Sequence, residues 1–183
     1  MLDNEQLKAL LKDVGIIFGI VIVFLILCYL VFGMWTPMYV VYSSSMEPSL
    51  DVGDIVFIRT IDRADVITQD ETLHASKARN KFGAPGDVIL YRPYGNDSYV
   101  PVVHRVIYYV EEGQEMWPGG PTAPHAGYVT RGDNQETNPE FDQNSTIMPG
   151  TPVKEEWIIG IAQFKFPYIG KLRLIFSPKH IPF

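Results

Sequence analysis

Residues 14–35 read VGIIFGIVIVFLILCYLVFGMW, a stretch of 22 residues that carries no charge. At about 1.5 Å of rise per residue this run, wound as an α-helix, crosses a hydrocarbon layer of about 30 Å. It is expected to be a transmembrane helix that separates residues 1–13 from residues 36–183. A cleavable leader would fit the flanks less well. Asp3, Glu5 and Asp13 stand beside Lys8 and Lys12, no alanine occurs between Ala9 and Ala64, and the small triplet Ser43-Ser44-Ser45 lies well beyond the apolar run. Lys8 and Lys12 precede the span, and the next basic residue is Arg59. The positive-inside bias therefore puts the N-terminus in the cytoplasm and residues 36–183 outside, in a single-pass protein of the cell membrane.

Outward from the span, the pattern changes from continuous to alternating. Short apolar or alternating runs recur between turn signals: Met38 to Tyr42, Asp54 to Arg59, Asp87 to Tyr91, Val100 to Val110, Tyr128 to Arg131 and Trp157 to Phe166. The pattern predicts a mainly β protein, one N-terminal transmembrane helix followed by a single all-β domain of antiparallel strands. Gly53-Asp54-Ile55-Val56 and Gly86-Asp87-Val88-Ile89 repeat a glycine-aspartate turn that enters a β-branched strand. The polar stretch Ile61 to Pro85 and the Pro- and Gly-rich stretch Glu111 to Gly127 read as surface insertions. The cationic, aromatic stretch from Phe164 to Phe176 suits either a membrane interface or a core strand with solvated lysines.

Composition narrows the function. Net charge is −6 and the basic residues are scattered, which argues against nucleic acid. Cys28 is the single cysteine, and His74, His104, His125 and His180 form no ligand-spaced motif, so neither a metal nor another cofactor is expected. A serine hydroxyl needs a base to become a nucleophile, and Ser45, in a turn-forming segment ended by Pro48, pairs most naturally with His104, the histidine embedded in a strand. A carboxylate on the other imidazole nitrogen would fix the tautomer, for which Asp133 and Asp142 are the candidates.

The segment Tyr42-Ser43-Ser44-Ser45-Met46-Glu47-Pro48, soon after an apolar helix and before Gly53-Asp54-Ile55-Val56, resembles the serine box of type I signal peptidases. Gly86-Asp87-Val88-Ile89, His104-Arg105-Val106-Ile107 and Gly132-Asp133-Asn134 are similar to that family's remaining boxes and stand in its order, over residues 14 to 170. His104 occupies the position where typical bacterial members carry lysine, which resembles the archaeal and endoplasmic-reticulum type.

The resemblance implies a serine endopeptidase that removes signal peptides from exported pre-proteins at the outer membrane-water interface. Ser45 would be its nucleophile and His104 its base. The resemblance ranks Asp142 first and Asp133 second as the orienting acid, although Gln135-Glu136-Thr137 reads as an insertion between them. The oxyanion donors implied are the Ser45 N–H and the Ser43 hydroxyl. Arg105, next to the base, reads as structural, its guanidinium pairing with carboxylates or carbonyls. Substrate would add as a strand between Tyr39 to Ser43 and Pro101 to His104, with Tyr39, Val41, Pro101 and Val103 forming shallow pockets for small residues. The expected partners are signal-peptide-bearing pre-proteins, membrane lipid and the translocation machinery. Two other readings remain open: a non-catalytic, membrane-anchored β binding domain, and a related serine peptidase that processes another envelope protein.

Overall fold

A computed structural model describes residues 3–74 and 79–167. The chain divides into two compact units, Met1–Pro37 and Met38–Phe183.

The first unit holds helix α1, Asn4–Phe32. It starts ahead of the apolar run because Asp3 and Gln6 form a capping box, the Asp3 carboxylate accepting the Gln6 N–H and the Gln6 side chain accepting the Asp3 N–H. It stops short of Trp35 because Gly33 adopts a left-handed conformation (φ 79°) and its N–H bonds back to the Tyr29 carbonyl. The Trp35 ring then stacks on Tyr29, 4.8 Å between centroids. The helix is long and apolar enough to cross a bilayer.

The second unit is built on six antiparallel strands in one sheet, of order β1-β2-β8-β5-β6-β7. They are β1 (Met38–Val40), β2 (Ile55–Arg59), β5 (Val88–Tyr91), β6 (Val102–Val110), β7 (Gly127–Arg131) and β8 (Ile158–Phe166). Each falls within or beside one of the six runs expected from sequence, and the mainly β architecture with one N-terminal apolar helix is as anticipated. The segment read as the first insertion is more ordered than its lack of period suggested. It contains α2 (Gln69–His74) and a hairpin of β3 (Asn80–Lys81) and β4 (Ala84–Pro85), elements too short to carry a periodic signal. In the second insertion, Met116 and Ala123 pack with Val110 and Val129 into a small core of their own.

Both glycine-aspartate turns use the same chemistry. Gly53 (φ 92°) and Gly86 (φ 87°) take backbone conformations that favour glycine. The aspartate that follows each is fully buried with a backbone donor and a cation on its carboxylate. Asp54 Oδ2 accepts the Asp51 N–H (3.0 Å) and pairs with Lys165 Nζ (2.9 Å); Asp87 Oδ2 accepts the Ile67 N–H (2.9 Å) and pairs with Arg79 (3.1 Å). Burial still raises the Asp87 carboxyl above its ordinary range, and its Oδ1 has no hydrogen-bond partner.

All four residues of β5 are buried, as its central place in the sheet requires. Ile89 and Tyr91 from β5, Val106 from β6 and Ile158 and Ile161 from β8 join Met148 and Val153 in the main core. Past the last pair of β7, Asn134 donates its N–H to the Ser45 carbonyl (2.9 Å) and its side-chain amide to the Ser44 carbonyl (3.0 Å). Ser44 and Ser45 follow β1, so the two outer strands of the sheet are tied together at this end.

Candidate active site

The serine segment leaves β1 as a turn. Val41 remains in register with the β2 side, its N–H donating to the Asp54 carbonyl and its carbonyl accepting the Gly53 N–H, both at 2.9 Å. The chain then reverses through residues 43–50, pinned by buried Met46 and Leu50. Ser45 is half-buried at the start of this turn, and its hydroxyl lies 3.1 Å from the Ser43 hydroxyl. Gly132 packs beneath it: a Cβ there would stand 2.5 Å from the Ser45 carbonyl oxygen and 2.8 Å from Asn138 Cγ. Only a residue without a side chain permits that approach.

His104 and Asp142 form the second half of the site. His104 sits in β6 opposite Ile89 and is 2% exposed; Asp142 begins a short 3₁₀ turn, Asp142–Asn144, and is 1% exposed. His104 Nδ1 lies 2.8 Å from each Asp142 carboxylate oxygen. Two further donors meet Asp142 Oδ2, the Tyr91 hydroxyl at 2.8 Å and the Thr130 hydroxyl at 2.6 Å. Burial alone would push the Asp142 carboxyl up, but the charge and hydrogen bond of His104 and the hydrogen bonds from Thr130 and Tyr91 outweigh it. The net result holds Asp142 below the ordinary carboxylate range. A carboxylate acceptor on Nδ1 requires the proton to reside there, which leaves Nε2 as the basic nitrogen of a neutral imidazole.

Asp133 lies elsewhere. It pairs with Arg105, which donates from Nε to Oδ1 at 2.8 Å and from Nη2 to Oδ2. Arg105 is 1% exposed and spends its remaining donors on the Gly86 carbonyl (2.8 Å) and, at longer range, the Ala84 and Pro85 carbonyls and the Ser49 hydroxyl (3.5 Å). It thus ties the serine turn to β6 next to His104. The three residues that separate Asn134 from Asn138 form an exposed bulge, closed by the Asn138 N–H on the Asn134 carbonyl at 2.7 Å. Asp142 follows that bulge in the chain.

Of the residues singled out by sequence, the structure joins Ser43 to Ser45 and His104 to Asp142. Among the described residues no hydrogen bond connects the two pairs. Tyr39, Pro101 and Val103 are half-buried, while Val41 is buried at 6% exposure. His74 is exposed beside Asp70, His125 packs edge-on against Trp157, and His180 lies outside the described residues, as do residues 168–176 of the cationic stretch. Among the described residues there is no cluster of three or more His, Cys, Asp or Glu side chains of the kind that holds a metal ion. Sequence reading missed Tyr91, Thr130 and Gln143. The available signal was a tyrosine inside an otherwise aliphatic strand, whose buried hydroxyl must find an acceptor.

No family model matches the chain. It is similar to the signal peptidase complex catalytic subunit of Schizosaccharomyces pombe, 26% identical over 144 residues that cover 76% of this chain and 66% of the relative. The corresponding subunit of Talaromyces marneffei is 27% identical over 151 residues, 78% of this chain and 66% of the relative. A human signal peptidase complex catalytic subunit is 25% identical over 146 residues, 79% of this chain and 59% of the relative. The chain thus covers 59% to 66% of the length of these curated relatives. Its homologues are the catalytic subunits of signal peptidase complexes, in fungi and in mammals alike.

Proposed function

We propose that this chain is a signal peptidase, a serine endopeptidase of the histidine-base type that cleaves signal peptides from pre-proteins. The observation that carries the reading is the buried His104–Asp142 pair, with both carboxylate oxygens 2.8 Å from Nδ1, in a chain whose homologues are signal peptidase catalytic subunits. Ser45 attacks the scissile carbonyl as His104 Nε2 takes its proton. The Ser45 N–H and the Ser43 hydroxyl hold the oxyanion, and His104 protonates the leaving amine. Water, activated by the same nitrogen, then releases the acyl group and restores the serine. The Ser45 hydroxyl now resting on Ser43 turns to His104 when substrate seats, a tightening that serine and histidine sites commonly undergo on binding.

Substrate adds as a strand between residues 39–43 and residues 101–104. In support, β1 is an edge strand, and because the N–H and carbonyl of Val41 point to β2, those of Val40 and Tyr42 face the open side. The β6–β7 ladder ends at Arg105–Arg131, so residues 102–104 are paired with β5 alone. Tyr39, Val41, Pro101 and Val103 shape the adjoining pockets, and a bulky side chain at the cleavage point blocks turnover. Helix α1 anchors the protein in the cell membrane with its N-terminus cytoplasmic and the β domain outside, where the substrate's own apolar segment is embedded in lipid at the exit of the translocation machinery.

Membranes carrying the wild type or Ser45→Ala, incubated with a labelled pre-protein, test this directly. Release of the mature N-terminus by the wild type alone is the expected result. Equal cleavage by both rejects Ser45 as nucleophile, and cleavage of an unrelated envelope protein in preference to the pre-protein rejects the substrate class.

A further inference from the structure

Asp142 carries more donors than orienting a histidine requires. His104, the Tyr91 hydroxyl and the Thr130 hydroxyl all reach Oδ2, while Oδ1 faces His104 Nδ1 alone. These side chains come from three adjacent strands. Ile89 pairs with His104 and Val106 with Thr130, and strand alternation puts Tyr91, His104 and Thr130 on the same face of β5, β6 and β7. The 3₁₀ turn that begins at Asp142 covers that face.

The donor direction of each hydroxyl is fixed. The Gln143 side chain brackets Thr130, its Oε1 accepting the Thr130 N–H at 3.0 Å and its Nε2 approaching the Thr130 hydroxyl at 3.5 Å. With that amide on the oxygen, the hydroxyl proton is left for Asp142. Tyr91 is fully buried, and burial together with the Asp142 charge raises its phenol well above the usual range, so it is a donor at neutral pH.

We propose that Tyr91 and Thr130 are positioning residues of the proteolytic reaction: their hydroxyls stop the Asp142 carboxylate from rotating and reserve Oδ1 for the Nδ1–H of His104. The inference rests on the reading of Ser45, His104 and Asp142 as the peptidase machinery. Neither hydroxyl touches substrate. Their effect passes through Asp142 to the orientation and basicity of the imidazole. Because both donors stabilise the carboxylate's charge, removing one leaves Asp142 a stronger partner for an imidazolium, and His104 then keeps its proton to higher pH. Among the described residues, the side chains that hydrogen-bond the carboxylate are His104 from β6, Tyr91 from β5 and Thr130 from β7, and Gln143, from its own turn, bonds Thr130. The Tyr94 phenol, beyond β5, interacts only electrostatically with Tyr91.

The test uses the full chain in detergent micelles and the variants Tyr91→Phe, Thr130→Val and Thr130→Ser, each close in shape to the original. Cleavage of a pre-protein is followed across pH, and the histidine rings are followed by carbon-13 NMR, with His104 assigned through His104→Gln. Tyr91→Phe and Thr130→Val should each lower kcat about tenfold with KM within about twofold, and move the acid limb of the rate profile upward by about half a pH unit or more. Thr130→Ser, which keeps the hydroxyl, should remain within about threefold of wild type. A core residue that merely packs would leave both the acid limb and the His104 titration where they were, and that outcome overturns the proposal. Should the wild type fail to cleave any pre-protein, the functional reading falls. The His104 titration then decides this inference: an upward shift in Tyr91→Phe supports it and an unmoved curve refutes it.

Discussion

Replacing Asp142 with asparagine exchanges one oxygen for an NH₂ group and leaves the shape of the side chain almost unchanged. The surrounding donors decide which way the amide points. Tyr91 and Thr130 both deliver protons to Oδ2, so the amide oxygen is held there and the NH₂ takes the place of Oδ1, facing His104 Nδ1. Nδ1 is 2.8 Å from both positions, so it meets a donor where both partners had been acceptors, and the NH₂ draws Nδ1 toward the acceptor role with the ring proton on Nε2. A histidine in that tautomer has no lone pair for the Ser45 proton. The cost in kcat is about 10³- to 10⁴-fold, or about 4 to 5.5 kcal/mol of transition-state stabilisation, with KM little changed. The loss of a charged hydrogen-bonded group lowers folding stability by about 1 to 3 kcal/mol. The sign with pH follows from the depressed Asp142 carboxyl: its stabilisation is present above the ordinary value of 3.8 and disappears as pH falls through the lower folded value, so wild type and variant converge in strong acid. Single-turnover cleavage of a pre-protein gives kcat, and thermal unfolding gives the stability difference. An Asp142→Asn protein that retains more than a tenth of wild-type kcat would refute the tautomer argument.

Three other outcomes follow from groups around the site. Asp133→Asn leaves the buried Arg105 charge without its carboxylate and should cost about 3 kcal/mol of stability, read as a lower Tm, while sparing the His104–Asp142 pair in an NMR titration. Gly132→Ala places a methyl 2.5 Å from the Ser45 carbonyl oxygen, so cleavage should fall about tenfold or more as the serine turn is displaced; wild-type kcat in this variant would show that the turn can shift freely. Asp87, with its carboxyl raised by burial, favours the fold in its protonated form, and that contribution is complete below 3.8 and lost as pH rises through the folded value. The stability of wild type relative to Asp87→Asn should accordingly decline from pH 3 to neutrality in a denaturant titration, and a constant difference would contradict the assignment.

The parts of this protein that sequence made legible are those where chemistry has a period or a fixed turn. The apolar run of α1 and the alternation in β2, β6 and β8 declared their elements, and Gly53-Asp54 and Gly86-Asp87 declared the turns that start β2 and β5. Alternation could not set the helix ends, because Asp3 and Gly33 act through capping geometry rather than hydrophobicity. It could not reveal β3 and β4, which pair over two residues each. Within the site, motif order led to Ser45 and His104, but the choice between Asp133 and Asp142 depends on a distance in space. The chain between the two aspartates runs through the exposed bulge after Asn134, and no residue pattern encodes its path. Tyr91 and Thr130 were silent for a related reason: each looks like an ordinary strand residue until the acceptor above it is known.

His104 and Arg105 are neighbours in β6, and strand alternation sends them to opposite faces. His104 meets Asp142 on the face shared with Tyr91 and Thr130. Arg105, on the other face, collects the Gly86 carbonyl, Asp133 and the Ser49 end of the serine turn. One step along a strand therefore holds His104 on one side and braces the Ser45 turn on the other. Both arms end on the same stretch of chain, since Asp133 and Asp142 flank the bulge that follows β7, and Asn134 between them binds the carbonyls of Ser44 and Ser45. A register slip of one residue in β6 would exchange the two roles, burying a guanidinium against Tyr91 and Thr130 and turning the imidazole toward Asp133. The pairing of Val88 with Arg105 and of Arg105 with Arg131 pins β6 on both sides at this position, so the register that completes the core is also the register that assembles the site.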